Sequence, residues 1–360
     1  MKYTYILFLL VFFCSCKDDY KRPEIISKVT IDTIIRDSIL SARALDFNKD
    51  YLFYGSSDHF GKYALNKELK FDIDNLKLSN SENYFKHIVT HEEKPLHFRA
   101  IEIVYGNMFV ISVGNPGKLY KLNRKAKNPK LVYEEHHEKV FYDSMDFWNE
   151  NEGIAIGDPT DDCMSIIITR DGGHTWNKIS CTDLPKANDG EAAFAASDTN
   201  IAIVGDNTWV ATGGTSSRIL YSPDKGNSWQ VFDTPIVQGK PTTGMYSVDF
   251  YDENNGFAIG GDYTKPNDTL SNKIRTQDGG KTWQVVADGQ SPGYRSCVQY
   301  VPNSNAQELV AIGFKGIDYS NDAGESWKHL SDEGFYTIRF LNDSVAYAAG
   351  RGRISKLIFK

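Results

Sequence analysis

Short apolar runs of four to six residues alternate along this chain with polar, glycine-rich turns. β-branched and aromatic residues fill the runs, and no run repeats its apolar positions with a helical period. In several places two runs are separated by a short turn, as at residues 142–147 and 154–157 and again at residues 245–250 and 257–260. This pattern predicts an all-β protein built from small antiparallel sheets.

One pattern, Ser/Thr-x-Asp-x-Gly-x-Ser/Thr-Trp, occurs four times at steps of 53, 54 and 44 residues. The copies are residues 169–176, 222–229, 276–283 and 320–327. In each copy we expect Asp to cap backbone N–H groups two residues on, Gly to take the positive φ of a tight turn, and Trp to pack back over the turn. Repeats of this length with turn-rich β sequence are typical of propeller blades.

The pattern resembles the Asp-box, or BNR repeat, of sialidases, sortilin-type receptors and propellers like the photosystem II assembly factors. In those families the box lies at the periphery, away from the ligand face. The resemblance therefore implies that the four copies are structural.

Counting paired apolar runs gives seven units, because three pairs occur without the repeated pattern. These are residues 42–47 with 52–55, 98–103 with 109–114, and 335–340 with 346–350. We therefore predict an all-β, seven-bladed β-propeller with Asp-box repeats over residues 25–360, with each blade built from strands A to D. The last unit ends after strand C, so the alternating segment 25–35 is expected to supply its outer strand and close the ring.

The first residues of the seven predicted inner strands fall in one register, and a small residue follows each of them. These residues are Arg43, Arg99, Asp143, Glu191, Tyr246, Arg295 and Tyr336. Because strand A lines the channel of a propeller, we expect them to form a ring at one mouth, here called the top face. The loops after strand B return to the same mouth and add Asp158, Asp206, Asp262, Tyr263 and Arg351.

Arg forks bind carboxylates and phosphates, and Tyr rings stack on sugars and other planar groups. This ring therefore predicts a site for a protein partner, a glycan or a small anion. The alternative is a structural ring of ion pairs that closes the channel.

Stretches across most of the chain resemble a bacterial family of propellers related to the photosystem II stability and assembly factors. They are residues 155–159, 191–197, 260–263, 293–296 and 316–320. The related assembly factors bind protein partners and do no chemistry, so the resemblance implies a non-catalytic scaffold or assembly role.

A more distant resemblance to sialidases implies the competing function, an exo-glycosidase that cleaves an acidic sugar. In that case Arg43, Arg99 and Arg295 would hold the sugar carboxylate. Tyr246 or Tyr336 would be a nucleophile activated by Glu191, and Asp143 or Asp158 would be the acid/base.

Residues 1–15 are predicted to be a signal peptide, because Lys2 precedes a short apolar run. Phe13-Cys14-Ser15-Cys16 resembles a bacterial lipobox, with Cys16 as the lipid-bearing residue and residues 16–24 as a tether. Lys17-Asp18-Asp19 resembles the surface-export signal of Bacteroidetes lipoproteins, whereas Asp at this place also occurs in inner-membrane retention signals. We expect an outer-membrane lipoprotein, periplasmic or surface-exposed; the alternative is a plain secretory signal.

Charge, cysteine content and the lack of certain motifs limit the expected partners, disulfide bonds and cofactors. A formal net charge of −7 argues against a nucleic-acid partner. Besides the lipid-bearing Cys16, the mature chain has Cys163, Cys181 and Cys297, so at least one thiol is unpaired, and the sequence leaves open whether Cys163 and Cys181 pair. No cofactor or metal is expected, because dinucleotide, haem, flavin and Cys-x-x-Cys patterns are lacking.

Overall fold

The computed structural model describes residue 22 and residues 25–65, 84–123 and 128–360. The predicted signal peptide, Cys16 and nearly all of the tether lie outside the described residues. Within these ranges the regular elements are all β-strands, and no helix is long and apolar enough to cross a membrane.

Seven antiparallel sheets follow one another along the chain. The first strand, β1 (Val29–Ser41), belongs to the last blade. Blade 1 consists of β2 (Ala44–Phe47), β3 (Tyr51–Gly55), β4 (Phe60–Ala64) and β5 (Tyr84–His87). A small hairpin, β6 (Thr90–His91) and β7 (Lys94–Pro95), leads to blade 2, which consists of β8 (Phe98–Val104), β9 (Asn107–Ser112), β10 (Gly117–Asn123) and β11 (Lys130–Glu135).

Blades 3 to 6 each contain one copy of the repeated pattern. Blade 3 has β12 (Tyr142–Phe147), β13 (Gly153–Gly157), β14 (Ser165–Thr169) and β15 (Asn177–Lys178). A short pair, β16 (Glu191–Ala192) and β19 (Gly213–Gly214), flanks blade 4, which has β17 (Ile201–Val204), β18 (Asn207–Ala211), β20 (Arg218–Ser222) and β21 (Gln230–Asp233). Blade 5 has β22 (Thr243–Phe250), β23 (Gly256–Asp262), β24 (Lys273–Thr276) and β25 (Gln284–Val285). Blade 6 has β26 (Cys297–Tyr300), β27 (Leu309–Gly313), β28 (Gly316–Ser320) and β29 (Lys328–Ser331).

The two ends of the described chain meet in blade 7. Strand β30 (Thr337–Phe340) pairs with the first part of β31 (Val345–Phe359), and the second part of β31 pairs with β1 from Arg353↔Arg36 to Phe359↔Val29. Gly352 at φ 76° turns β31 back on itself, and the Phe359 N–H donates to the Ser344 carbonyl at 2.8 Å. The N-terminal segment therefore supplies the outer strand, as predicted, although the strand begins and ends later than residues 25–35.

Side chains of the inner strands link neighbouring blades around the channel. Asp46 accepts a hydrogen bond from the Ile103 amide of the next blade, and Asp249 accepts one from the Tyr300 amide, at 2.7 and 2.6 Å. Gln299 Oε1 accepts the Phe340 amide in the same way at 3.2 Å. Apolar side chains fill the space between the blades, and the largest fully buried one is Trp209. These contacts lie near the ends of the inner strands and hold neighbouring blades together.

The four repeat turns (residues 169–176, 222–229, 276–283 and 320–327) share one geometry between the two outer strands of their blades. In the first, the Thr175 amide donates to Asp171 Oδ1 at 2.9 Å and the Thr175 hydroxyl donates to Oδ2 at 2.7 Å. The Asp therefore caps a backbone N–H four residues on, and not two as predicted. The fifth residue is a Gly with φ between 72° and 87° in all four turns.

Two cysteines form a disulfide bond. Cys163 and Cys181 are joined across blade 3, and Cys297 is a buried free thiol. This resolves the pairing that the sequence left open.

Candidate functional site

A segment of the chain crosses the channel between blades 3 and 4. We call residues 193–200 the channel segment. Asp198 accepts the backbone amides of Ile101 and Met145 at 2.9 and 3.1 Å, and its carbonyl accepts Arg339 at 2.8 Å. The Thr337 hydroxyl donates to the Ser197 carbonyl. The segment is thus fixed to the inner strands of blades 2, 3 and 7, and it blocks the channel.

This segment corrects the sequence prediction for blade 4. The run that contains Glu191 was predicted to be inner strand A, whereas the inner strand is β17, which begins at Ile201. The predicted ring of seven equivalent residues therefore does not include Glu191. The small, apolar composition of this run reflects burial in the channel and not a strand in a blade.

A pocket of about 430 Å³ lies at the top face with the channel segment as its floor. Its walls come from the starts of inner strands and from loops that follow strand B. The predicted site residues that line it are Arg43, Arg99, Asp158, Tyr246, Tyr263 and Tyr336. Six of the twelve predicted ligand-binding residues thus meet in one cavity.

Two arginines stand side by side in this pocket. Arg43 Nη1 donates to the Ala196 carbonyl at 3.3 Å, and Arg99 Nη1 donates to the Ala195 carbonyl at 3.0 Å. Within the described ranges neither guanidinium forms a salt bridge. Burial and the neighbouring charge of Arg43 lower the pKa of Arg99 to about 10. Arg99 therefore stays charged at neutral pH. Both guanidinium groups have donors left for a ligand.

Aromatic rings form the other side of the pocket. The Tyr246 ring stacks on Phe194 of the channel segment with a centroid distance of 4.0 Å and meets Tyr294 edge-on at 4.8 Å. Tyr294 in turn contacts Phe314 at 5.4 Å. On the arginine side, the Arg43 guanidinium lies 3.9 Å from the centroid of the Tyr336 ring. The pocket thus joins a cationic half to an aromatic half.

Two carboxyl groups lie beside Arg99. Burial raises the pKa of Asp158 to about 6, and the Ala193 amide donates to Asp158 Oδ1 at 2.8 Å. Asp143 is fully buried beneath the pocket, and neither of its carboxyl oxygens has a hydrogen-bond partner in the described structure. Burial and the nearby Asp158 raise the pKa of Asp143 well above its usual range, against the opposing effect of Arg99. Burial thus favours the neutral form of Asp143, so this carboxyl group offsets little of the charge of Arg99.

Glu191 and Arg295 do not line the pocket, because each is held in a buried ion pair. Glu191 Oε2 lies 2.5 Å from Arg218 Nη2, and the Glu191 side chain is fully buried. Arg295 Nη2 lies 2.6 Å from Asp318 Oδ2. The register in blade 6 differs by one residue from the prediction: the Ser296 amide donates to Ile312, and strand β26 begins at Cys297. A shift of one residue turns a side chain to the other side of a strand.

Three of the predicted loop residues also lie outside the pocket. Asp206 follows an inner strand and not a B strand, so it lies on the opposite face, where its carbonyl accepts the Lys225 amide of a repeat turn. Asp262 is buried and accepts the Thr264 amide and hydroxyl at 2.9 and 2.6 Å. Arg351 is exposed on the turn within β31.

The predicted sialidase-type site is only partly assembled, because Glu191 and Arg295 do not line the pocket that contains Arg43, Arg99, Asp158, Tyr246 and Tyr336. Glu191 is bound to Arg218, Arg295 is bound to Asp318, and the Tyr246 hydroxyl donates to the Thr242 carbonyl at 2.9 Å. The third arginine and the Glu–Tyr pair that such a site requires are therefore not assembled by these residues.

The prediction missed four aromatic residues of the pocket, Phe141, Phe194, Tyr294 and Phe314. Tyr294 lies directly before Arg295, so the shifted register hid it. Phe194 was assigned to a strand, and Phe314 lies in the glycine-rich turn of blade 6 that the sequence singled out only for its polarity.

No family model matches the chain, and no curated protein matches it. Solved structures do match. YCF48 bound to a D1 peptide is 10% identical with a TM-score of 0.62, covering 92% of this chain and 95% of that chain. YCF48 from Cyanidioschyzon merolae is 12% identical with a TM-score of 0.58, covering 92% and 98%. The Neurospora crassa Pan2 WD40 domain is 12% identical with a TM-score of 0.59, covering 89% of each chain. These similarities show the fold, and with the strand order they confirm the predicted seven-bladed β-propeller.

Proposed function

We propose that this chain is a lipid-anchored β-propeller of the cell envelope that binds an acidic segment of a protein partner in its top pocket, without catalysis. The observation that carries the proposal is the pair Arg43 and Arg99. Each guanidinium donates one bond to the floor of the pocket and has no salt bridge within the described ranges. Two neighbouring half-buried cations repel each other, and a ligand carboxylate relieves that repulsion while accepting charge-assisted hydrogen bonds.

Two further observations favour a protein segment over a glycan or a small anion. The aromatic half of the pocket offers apolar surface that a small anion does not use. Among the structurally similar propellers, YCF48 has been solved bound to a D1 peptide. The buried ion pairs of Glu191 and Arg295 favour a binding role over the sialidase-type reaction.

The binding test uses the full chain in detergent and pairs of N-acetylated, C-amidated peptides that differ only by Glu against Gln. We expect the Glu peptides to bind with higher affinity in fluorescence anisotropy. In Arg99→Gln the affinity for Glu peptides should fall about 10- to 100-fold, because a hydrogen bond to a charged group contributes about 1.5–3 kcal/mol.

Arg351→Gln is the matched control, since Arg351 is an exposed arginine that does not line the pocket. Its affinity should equal that of the unmodified chain. Equal binding of Glu and Gln peptides would contradict the proposal. Arg99-dependent binding of sialyllactose in place of peptides would assign the pocket to a glycan, and release of fluorophore from a sialoside would show catalysis.

The anchor is proposed from residues 1–16 alone, and its test is separate. The mature chain should partition into the detergent phase of Triton X-114 and carry a lipid mass at Cys16. Cys16→Ser should move it to the aqueous phase, whereas Cys14→Ser should not. Detergent partition of the Cys16→Ser chain would contradict lipidation at this residue.

A further inference from the structure

The top pocket is asymmetric around the propeller axis. Its arginines come from blades 1 and 2, and its aromatic rings come mainly from blades 5 and 6. Tyr246 and Tyr294 are buried at the base of the aromatic side. Tyr263 and Phe314 stand above them with 48% and 41% of their surface exposed. The aromatic wall, which we define as these four residues, therefore presents open apolar surface beside the arginine pair.

The rings of the aromatic wall support one another. Tyr263 lies 6.4 Å from Tyr246 and 6.5 Å from Tyr294 between ring centroids, both in edge-on arrangements. Phe314 packs on Tyr294 at 5.4 Å. Because buried rings hold the exposed ones in place, an apolar group that docks here gains contact area without first ordering the wall.

The opposite side of the pocket is acidic. Asp158 and Ala192 are shared with an adjoining cleft of about 510 Å³. The acidic residues Asp158, Asp161, Asp162 and Asp189 of that cleft outnumber its lysines, Lys139 and Lys186, and Lys186 lies 3.4 Å from Asp162. A ligand that carries a carboxylate is repelled from that side. The chain of an acidic ligand bound at the arginines is therefore directed toward blades 5 and 6.

From the arginine pair and the aromatic wall we infer that the partner segment carries an aromatic or large aliphatic side chain next to its carboxylate, and that this side chain packs against Tyr263 and Phe314. The inference rests on the proposed function, because it needs the carboxylate at Arg43 and Arg99. The arginines then select for charge, and the aromatic wall selects which acidic segments bind. An acidic segment with only polar neighbours leaves the wall exposed to water and binds more weakly.

The test compares four hexapeptides, Gly-Gly-Glu-X-Gly-Gly, acetylated and amidated, with X as Phe, Leu, Ala or Asn. The full chain should bind the Phe and Leu peptides about tenfold more tightly than the Ala and Asn peptides, the gain from burying one large apolar side chain. Tyr263→Ala and Phe314→Ala should each reduce this preference, and the double substitution should remove it. Phe314→Leu should keep part of the preference that Phe314→Ala loses.

Arg99→Gln serves to separate the two proposals, because it should weaken all four peptides by the same factor and leave the preference intact. Tyr105→Ala is the matched control, since Tyr105 is 77% exposed in a turn on the opposite face. Glu-dependent binding with no preference for X overturns this inference and leaves the proposed function standing. A preference that survives the double substitution also overturns it. Absence of any Glu-dependent binding overturns both.

Discussion

The repeat turns and the top pocket lie on opposite faces of one propeller, and their polar groups are satisfied to different degrees. In the repeat turns, each Asp accepts bonds from its own loop, as Asp224 does from the Ser228 amide and hydroxyl at 2.8 and 2.6 Å. In the pocket, Arg43 and Arg99 each donate a single bond to the channel segment. The difference separates residues that stabilise the fold from residues with bonding capacity left for a ligand.

Position on the top face alone does not make a residue available to bind a ligand. Glu191 with Arg218 and Arg295 with Asp318 form ion pairs there that are as enclosed as the core. These pairs resemble the repeat turns in being satisfied internally. The comparison therefore predicts that substitutions at paired residues reduce stability, whichever face they occupy.

The largest effect is expected at the buried pair. Glu191→Gln leaves Arg218 without its counter-charge, and breaking such a pair costs about 3–5 kcal/mol of unfolding free energy. Chemical denaturation should show this loss. The exposed pair Asp162–Lys186, 3.4 Å apart with both side chains more than 75% exposed, is the control. Asp162→Asn should change stability by about 0.5 kcal/mol or less, and a similar loss in both variants would contradict the distinction.

A smaller effect is expected in the repeat turns. Asp171→Ala removes the acceptor of four hydrogen bonds, from the Thr175 amide and hydroxyl, the His174 amide and the Thr169 hydroxyl. The loss should be about 1–2 kcal/mol at neutral pH, as for a helix cap. The matched control is Asp161→Ala, an exposed Asp outside any repeat turn.

The pH dependence of Asp171→Ala sharpens this prediction. Burial raises the pKa of Asp171, but the hydrogen bonds from Thr175, Thr169 and His174 outweigh burial and hold the pKa at about 2, below the ordinary Asp value of 3.8. The folded state therefore binds the proton more weakly than the unfolded state, so the stability contribution is present above about pH 4 and is lost as the pH falls through about 2. The difference between Asp171→Ala and the unmodified chain should shrink over that range. A difference that is constant from pH 7 to pH 2 would contradict the assigned role of the carboxylate.

The smallest effect on stability is expected at the pocket arginines. Arg99→Gln loses one hydrogen bond to Ala195 but also removes a half-buried charge that Arg43 repels. The two changes offset, so unfolding free energy should change by about 0.5 kcal/mol or less. A loss as large as that of Glu191→Gln would show that the arginine pair is a structural feature, and the proposed binding role would fail.

Much of the fold could be predicted because it repeats. The four turns gave a period, and the pairing of apolar runs extended the count to blades 1, 2 and 7. The alternation near the N-terminus identified the closing strand β1. The inner strand of blade 4 was misassigned, because a run of small apolar residues indicates burial but does not show whether the run is a strand of a blade or a segment in the channel. The channel segment is buried by its contacts across the axis, which the sequence does not encode locally.

The site was predicted less well, because it depends on register and on partners distant in sequence. Arg43, Arg99 and Tyr336 begin blades whose register was correct, and they line the pocket. Arg295 was one residue out of register, and its partner Asp318 lies 23 residues away on another strand. Nothing in the sequence near Glu191 identifies Arg218 as its partner. Whether a charged residue can bind a ligand depends on whether it already has a counter-ion in the protein, and only the folded structure shows that.

Closure of the ring by β1 and β31 has a consequence for synthesis. Ser27 and Lys360 are hydrogen-bonded although they are 333 positions apart, so the ring is completed only after both ends exist. Contacts of such long range slow folding, and an unjoined sheet edge offers its free amides and carbonyls to other molecules. A chain interrupted before β31 thus leaves β1 without its partner strand and keeps a free sheet edge.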